Sequence, residues 1–82
     1  MSQDWKPDLK KLGLRLSAAR KLKGYNQTIL ARKVGLAQTT YSAYERGKVE
    51  PSLTTLFALA HELDASIAWL LGLPEGDGKG PI

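Results

Sequence analysis

The sequence predicts an all-α fold, a compact bundle of five short helices. Three observations carry that prediction. Gly24, Gly35, Gly47 and Gly72 each follow a run of helix-compatible sequence, where a left-handed terminating residue is commonly needed. Between them, apolar residues recur at helical spacing. No alternating pattern long enough for a strand interrupts the series.

The first helix opens at Asp8, a suitable N-cap, and sets Leu9, Leu12, Leu16 and Ala19 on one stripe before Gly24. Asn26 caps a second helix of about two turns, with Leu30, Ala31 and Val34 facing inward until Gly35 ends it. Only Leu36 and Ala37 separate Gly35 from Gln38, so a tight turn leads into a third helix running roughly from Gln38 to Arg46. That helix buries Tyr41 and Tyr44 and leaves Gln38, Thr39, Ser42 and Ala43 on a small, polar outer face. Two short helices so joined suggest a helix-turn-helix. The loop GKVEP leads to Ser52, which caps a fourth helix with Leu53, Leu56, Leu59, Ala60 and Leu63 inward. Ser66 caps a brief fifth helix that turns Ile67 and Leu70 to the core. The resulting organisation is an N-terminal arm over residues 1–8, one domain over 9–72, and a flexible tail over 73–82, rich in Gly and Pro.

Composition narrows the function classes. At 82 residues and 43% hydrophobic content, the chain builds one modest core. With no cysteine and a single histidine, His61, it offers neither a disulfide framework nor a zinc site, and no cofactor or metal is expected. The opening MSQDWKPDLKK lacks the apolar core of a secretory signal, and no stretch approaches the length of a membrane span, so a cytoplasmic protein without membrane association is expected. The scattered acids and lone histidine provide no acid–base pair or nucleophile arrangement, which argues against an enzyme, and no small-molecule site is evident. Gly76, Gly78 and Gly80 follow no strand and open no helix, so they do not read as a phosphate loop.

The net charge of +4 is unevenly spread. Eleven basic residues lie between Lys6 and Lys48, opposed only by Asp8 and Glu45, whereas from Val49 onward Lys79 alone faces five acids. Such asymmetry suggests a side that faces a polyanion, although basic residues that merely solvate helix faces would produce the same imbalance.

From about Leu12 to Gly72, the segments LGLRLSAARKLKGYNQ, LARKVGLAQTTYSAYERG, EPSLTTLFALAHEL and SIAWLLG appear in order. In sequence and spacing they resemble the xenobiotic-response-element (XRE) family of helix-turn-helix proteins, which includes Cro and the lambdoid phage repressors. The resemblance implies a lambda-repressor-like DNA-binding domain in which helices two and three read double-stranded DNA and the others buttress them. It places the base-reading positions on Ala37, Gln38, Thr39, Ser42 and Ala43. Among these, the Gln38 amide both donates and accepts, which suits adenine. Phosphate contacts fall on Asn26 and Gln27 at a helix start, and on Arg46 and Lys48 beyond the recognition helix. The family often joins an arginine of helix one to the glutamate closing the recognition helix, here Arg20 and Glu45, as a structural ion pair. Two positions depart from the pattern. Ala37 stands where the family usually has a capping serine, and Ala43 where it commonly has a polar or basic reader, so specificity rests more on Gln38 and on DNA shape.

One short recognition helix makes few base contacts, so the resemblance points to a transcriptional regulator, a repressor, binding a palindromic operator as a homodimer. The apolar end formed by Ile67, Ala68, Trp69, Leu71 and Leu73 is the candidate dimer interface, although Trp69 and Leu71 serve equally well to close the chain's own core. The alternative is an antitoxin-like or adaptor module that binds another polypeptide, motivated by Leu14 and Leu22 on the outer side of helix one.

Overall fold

The structure, a computed structural model, describes residues 6–74. Most of the expected arm and tail, including the spaced glycines Gly76, Gly78 and Gly80, lies outside the described residues. Five helices follow one another: α1 (Leu9–Leu22), α2 (Gln27–Lys33), α3 (Gln38–Glu45), α4 (Leu53–Leu63) and α5 (Ile67–Leu71). Among the described residues there is no strand.

Four of the five helices start on a side-chain cap. Asp8 accepts from the Lys11 backbone N–H, Asn26 from Ile29, Ser52 from Thr55 and Ser66 from Trp69. Each cap satisfies an otherwise orphaned N–H and contributes about 1 kcal/mol. At α3 the N-cap is Ala37, which has no side chain to make this bond, so α3 depends on its neighbours for its placement.

Those neighbours are supplied by the core. Leu12, Leu16 and Ala19 of α1, Leu30 and Ala31 of α2, Tyr41 and Tyr44 of α3, Leu56, Leu59, Ala60 and Leu63 of α4 and Leu70 of α5 form one buried cluster. The two tyrosine rings meet edge-on, 6.4 Å between centroids and 84° between planes, a favoured aromatic arrangement. Arginine 20 is buried among them, and its partners are described below.

The turn between α2 and α3 closes on Gly35, whose φ of +72° is left-handed. Its N–H donates to the Arg32 carbonyl at 3.2 Å, and the Leu36 N–H reaches back to the Ala31 carbonyl at 2.8 Å. This pairing is the six-to-one and five-to-two closure that ends a helix and redirects the chain, here into α3. Leu36 packs against the core and fixes the angle of the turn.

Gly13, inside α1, has a different purpose. A Cβ there would lie 2.3 Å from the Glu45 carbonyl oxygen and 2.7 Å from that of Tyr44. Its missing side chain therefore lets α1 press directly against the last turn of α3. Leu53 is the residue that departs from the sequence expectation: it is 68% exposed rather than inward. Pro51, just before α4, is buried in its place. Leu53 instead flanks a shallow surface groove with Pro7, Leu9 and Leu71. Leu14 and Leu22 are both exposed, as is Phe57.

Candidate nucleic-acid interface

With Tyr41 and Tyr44 turned into the core, helical geometry sends the opposite side of α3 outward. Ala37, Gln38 and Thr39 are exposed there, while Ser42 and Ala43 are half-buried. The surface presented by the start of α3 is thus one amide, one hydroxyl and a methyl.

Behind that surface lies a connected polar lattice. The Arg20 guanidinium grips the Glu45 carboxylate with two bonds, Nε to Oε2 at 2.7 Å and Nη2 to Oε1 at 3.1 Å, while its Nη1 donates to the Tyr25 carbonyl at 2.9 Å. The Tyr41 hydroxyl donates to Glu45 Oε2 at 2.5 Å. Gln27 Nε2 donates to Glu45 Oε1 at 2.9 Å, and Gln38 Nε2 donates in turn to Gln27 Oε1 at 2.8 Å. One carboxylate therefore ties α1, α2 and α3 together and reaches, through Gln27, the exposed side chain at the start of α3. Among the described residues no buried side-chain nitrogen or oxygen is left without a partner.

The ionisation states follow from these contacts. Burial opposes the charge on Glu45, but the hydrogen bonds from Arg20, Tyr41 and Gln27, with the positive charge of Arg20, outweigh it and hold the carboxyl below its usual range. The hydrogen bond to Glu45 raises Arg20 further, against the effect of burial. Burial, reinforced by the bond to Glu45, pushes the Tyr41 hydroxyl well above the ordinary tyrosine range. The cluster is an ionised carboxylate held by a cation and a neutral phenol.

The other positions singled out by sequence are distributed around this lattice. Asn26 is exposed and spends its side-chain oxygen on capping α2. Arg46, at the end of α3, folds back so that its Nε donates to the Ser42 carbonyl at 3.3 Å, and Lys48 is exposed in the following turn. The acidic second half partly neutralises the basic first half: Lys23 pairs with Asp64 at 2.6 Å and Lys33 with Glu62 at 3.7 Å. At α5, Ile67 and Leu71 pack against the core, Trp69 is 38% exposed with the Arg15 guanidinium over its ring, and Leu73 is exposed. Trp69 and the 86%-exposed Leu22 border one apolar surface hollow with Ala65.

Sequence reasoning did not find the bonds of Gln27 to Glu45 and Gln38, nor that of Tyr41 to Glu45. The four-residue spacing from Tyr41 to Glu45 was a usable signal for the latter, since it sets both on one helical face. Nothing local signals the contact between Gln27 and Glu45.

A profile of the helix-turn-helix family HTH_3 matches residues 16–70, from within α1 to the end of the buried part of α5. The chain belongs to the helix-turn-helix family. Among its relatives, the SPbeta prophage-derived uncharacterized HTH-type transcriptional regulator YonR of Bacillus subtilis is 42% identical over 59 residues. That match takes in 72% of this chain and 55% of YonR, so the chain spans about half the length of this relative. The crystal structure of the restriction-modification controller protein C.AhdI from Aeromonas hydrophila superposes with a TM-score of 0.72 at 38% identity, covering 77% of this chain and 96% of that one. SinR, the master regulator for biofilm formation, solved in complex with DNA, gives a TM-score of 0.69 at 38% identity over 73% of this chain and 97% of its own. As an HTH_3 protein, the chain has α2 and α3 as its paired helices, with the Gly35–Ala37 turn between them.

Proposed function

We propose that this protein is a sequence-specific DNA-binding transcriptional regulator, a repressor that acts in the cytoplasm as a homodimer on a palindromic operator. The observation that carries the proposal is the exposed amide and hydroxyl face at the start of α3, held in place by the lattice around Glu45. In this reading residues 9–72 are the DNA-reading unit. α3 enters the major groove, where Gln38 reads adenine, Thr39 and Ser42 offer less selective hydroxyls, and the methyls of Ala37 and Ala43 meet thymine.

Phosphate contacts come from the flanks of α3. Arg46 and Lys48 follow its end, and Asn26 and Gln27 lie beside its start; Asn26 keeps its amide N–H groups for this purpose because its oxygen is the cap. The relatives named regulators, and SinR in particular with DNA bound, support the same reading. A second copy would meet the chain through the α5 end. There Ala68, Trp69 and Leu73, with Ile67 and Leu71 beneath them, give an apolar patch that continues into the hollow beside Leu22. The proposal is of a binding protein, without catalytic chemistry, metal or cofactor.

Selection of bound duplexes from a random DNA pool tests this directly. The expected consensus is palindromic, with half-site centres about one helical turn, roughly 34 Å, apart. A pool that stays unenriched contradicts DNA reading, and a single asymmetric half-site contradicts the homodimer.

A further inference from the structure

We infer that Glu45, though it does not reach the bases, decides which base Gln38 accepts, by fixing the donor direction of a relay through Gln27. The inference rests on the reading of α3 as the recognition helix and adds a positioning residue to it.

The physical argument begins with the carboxylate. An ionised carboxylate only accepts hydrogen bonds, and Glu45 is kept ionised by Arg20. Gln27 must therefore turn its NH2 group toward Glu45 Oε1, where it sits at 2.9 Å. Rotating that amide by half a turn would set its oxygen against the carboxylate, acceptor to acceptor. With its nitrogen committed, Gln27 presents oxygen to α3, and Gln38 has to answer with its own NH2, at 2.8 Å. Negative charge fixed between three helices thus dictates the orientation of an amide at the exposed start of α3.

One N–H of Gln38 is consumed by this bond. What remains for DNA is one N–H and one carbonyl oxygen. In the major groove adenine offers N7 as an acceptor and N6–H as a donor, which matches that pair. Guanine offers two acceptors, N7 and O6, and would need both N–H groups of the amide. A Gln38 released from Gln27 has both, and its preference between the two purines disappears. The relay therefore converts a side chain able to bond either purine into one that rejects guanine.

The experiment uses the full chain and labelled duplexes carrying the consensus that it enriches from random DNA, together with duplexes in which each A·T pair is changed to G·C. The wild-type protein is expected to prefer adenine over guanine by roughly tenfold at one half-site position. Loss of that preference in Gln38→Ala identifies the position. Gln27→Leu keeps the Arg20 to Glu45 pair, and Gln27→Ala does so without adding bulk; either is expected to bring the ratio at that position close to one while ratios elsewhere stay as in wild type. Glu45→Gln, whose amide no longer dictates the orientation of Gln27, should do the same. A uniform loss of affinity on every duplex, with the ratio intact, is the result of a merely structural role and overturns the inference alone. A wild-type protein that enriches no sequence overturns both the inference and the function it refines.

Discussion

Replacing Glu45 with alanine is expected to destabilise the fold by about 3 kcal/mol, the loss typical when one partner of a buried ion pair is removed. For a domain of this size that is a fall of roughly 12–24 °C in melting temperature. The reason lies in what stays behind. The Arg20 side chain is only 11% exposed and would keep a charge with no carboxylate. The Tyr41 hydroxyl would lose its acceptor on a residue that is fully buried. Since α3 has no side-chain cap of its own, the same change loosens the helix against α1 and α2, so DNA affinity should fall together with stability. The effect has a pH signature. A carboxyl held below its usual value of 4.5 contributes its stabilisation fully above that pH and loses it as the pH drops through the folded value. The gap in melting temperature between wild type and variant should accordingly be constant near neutrality and narrow in acid. Thermal unfolding followed by circular dichroism measures both, and an unchanged melting temperature at neutral pH contradicts the structural role of the pair.

Affinity for the selected operator is expected to fall by roughly a thousandfold or more between 50 and 200 mM salt. Lys10, Lys11, Lys21, Arg32, Arg46 and Lys48 are exposed, whereas Lys23 and Lys33 already have acidic partners. Two copies carrying the exposed set neutralise about six to ten phosphates, and each neutralised phosphate releases condensed counterions that added salt drives back. A titration across that range reads the slope. Near-independence from salt would show that the basic first half of the chain does not face the DNA backbone.

The fold was legible in the sequence where the controlling signals are short-range. Asp8, Asn26, Ser52 and Ser66 cap helices by accepting from backbone N–H groups three residues away, and Gly35 and Gly72 end helices through their own backbone angles. Inward stripes such as Leu12, Leu16 and Ala19 need only a period of 3.6 residues. What escaped depends on contacts between distant segments. The need for glycine at position 13 appears only when the end of α3 lies against α1. The outward turn of Leu53 breaks a stripe that is correct for Leu56 and beyond, because the buried Pro51 takes the inward place at the start of α4. The site was legible in the same measure: an exposed face around Gln38 follows from periodicity and turn length. The bond from Gln27 to Glu45 spans 18 residues, a separation over which sequence pattern carries no geometry, and the Arg20 to Glu45 pair, 25 residues apart, was expected only through the family resemblance.

The claim that the outward face of α3 selects DNA sequence is tested most directly by changing Gln38 and Thr39 together to alanine, both being exposed and outside the core. Binding to the enriched duplex and to an unrelated duplex should then be compared at one salt concentration. A double variant that melts like the wild type yet binds the two duplexes almost equally is the predicted result. If it keeps the full wild-type preference for the enriched duplex, α3 is not the element that reads the bases.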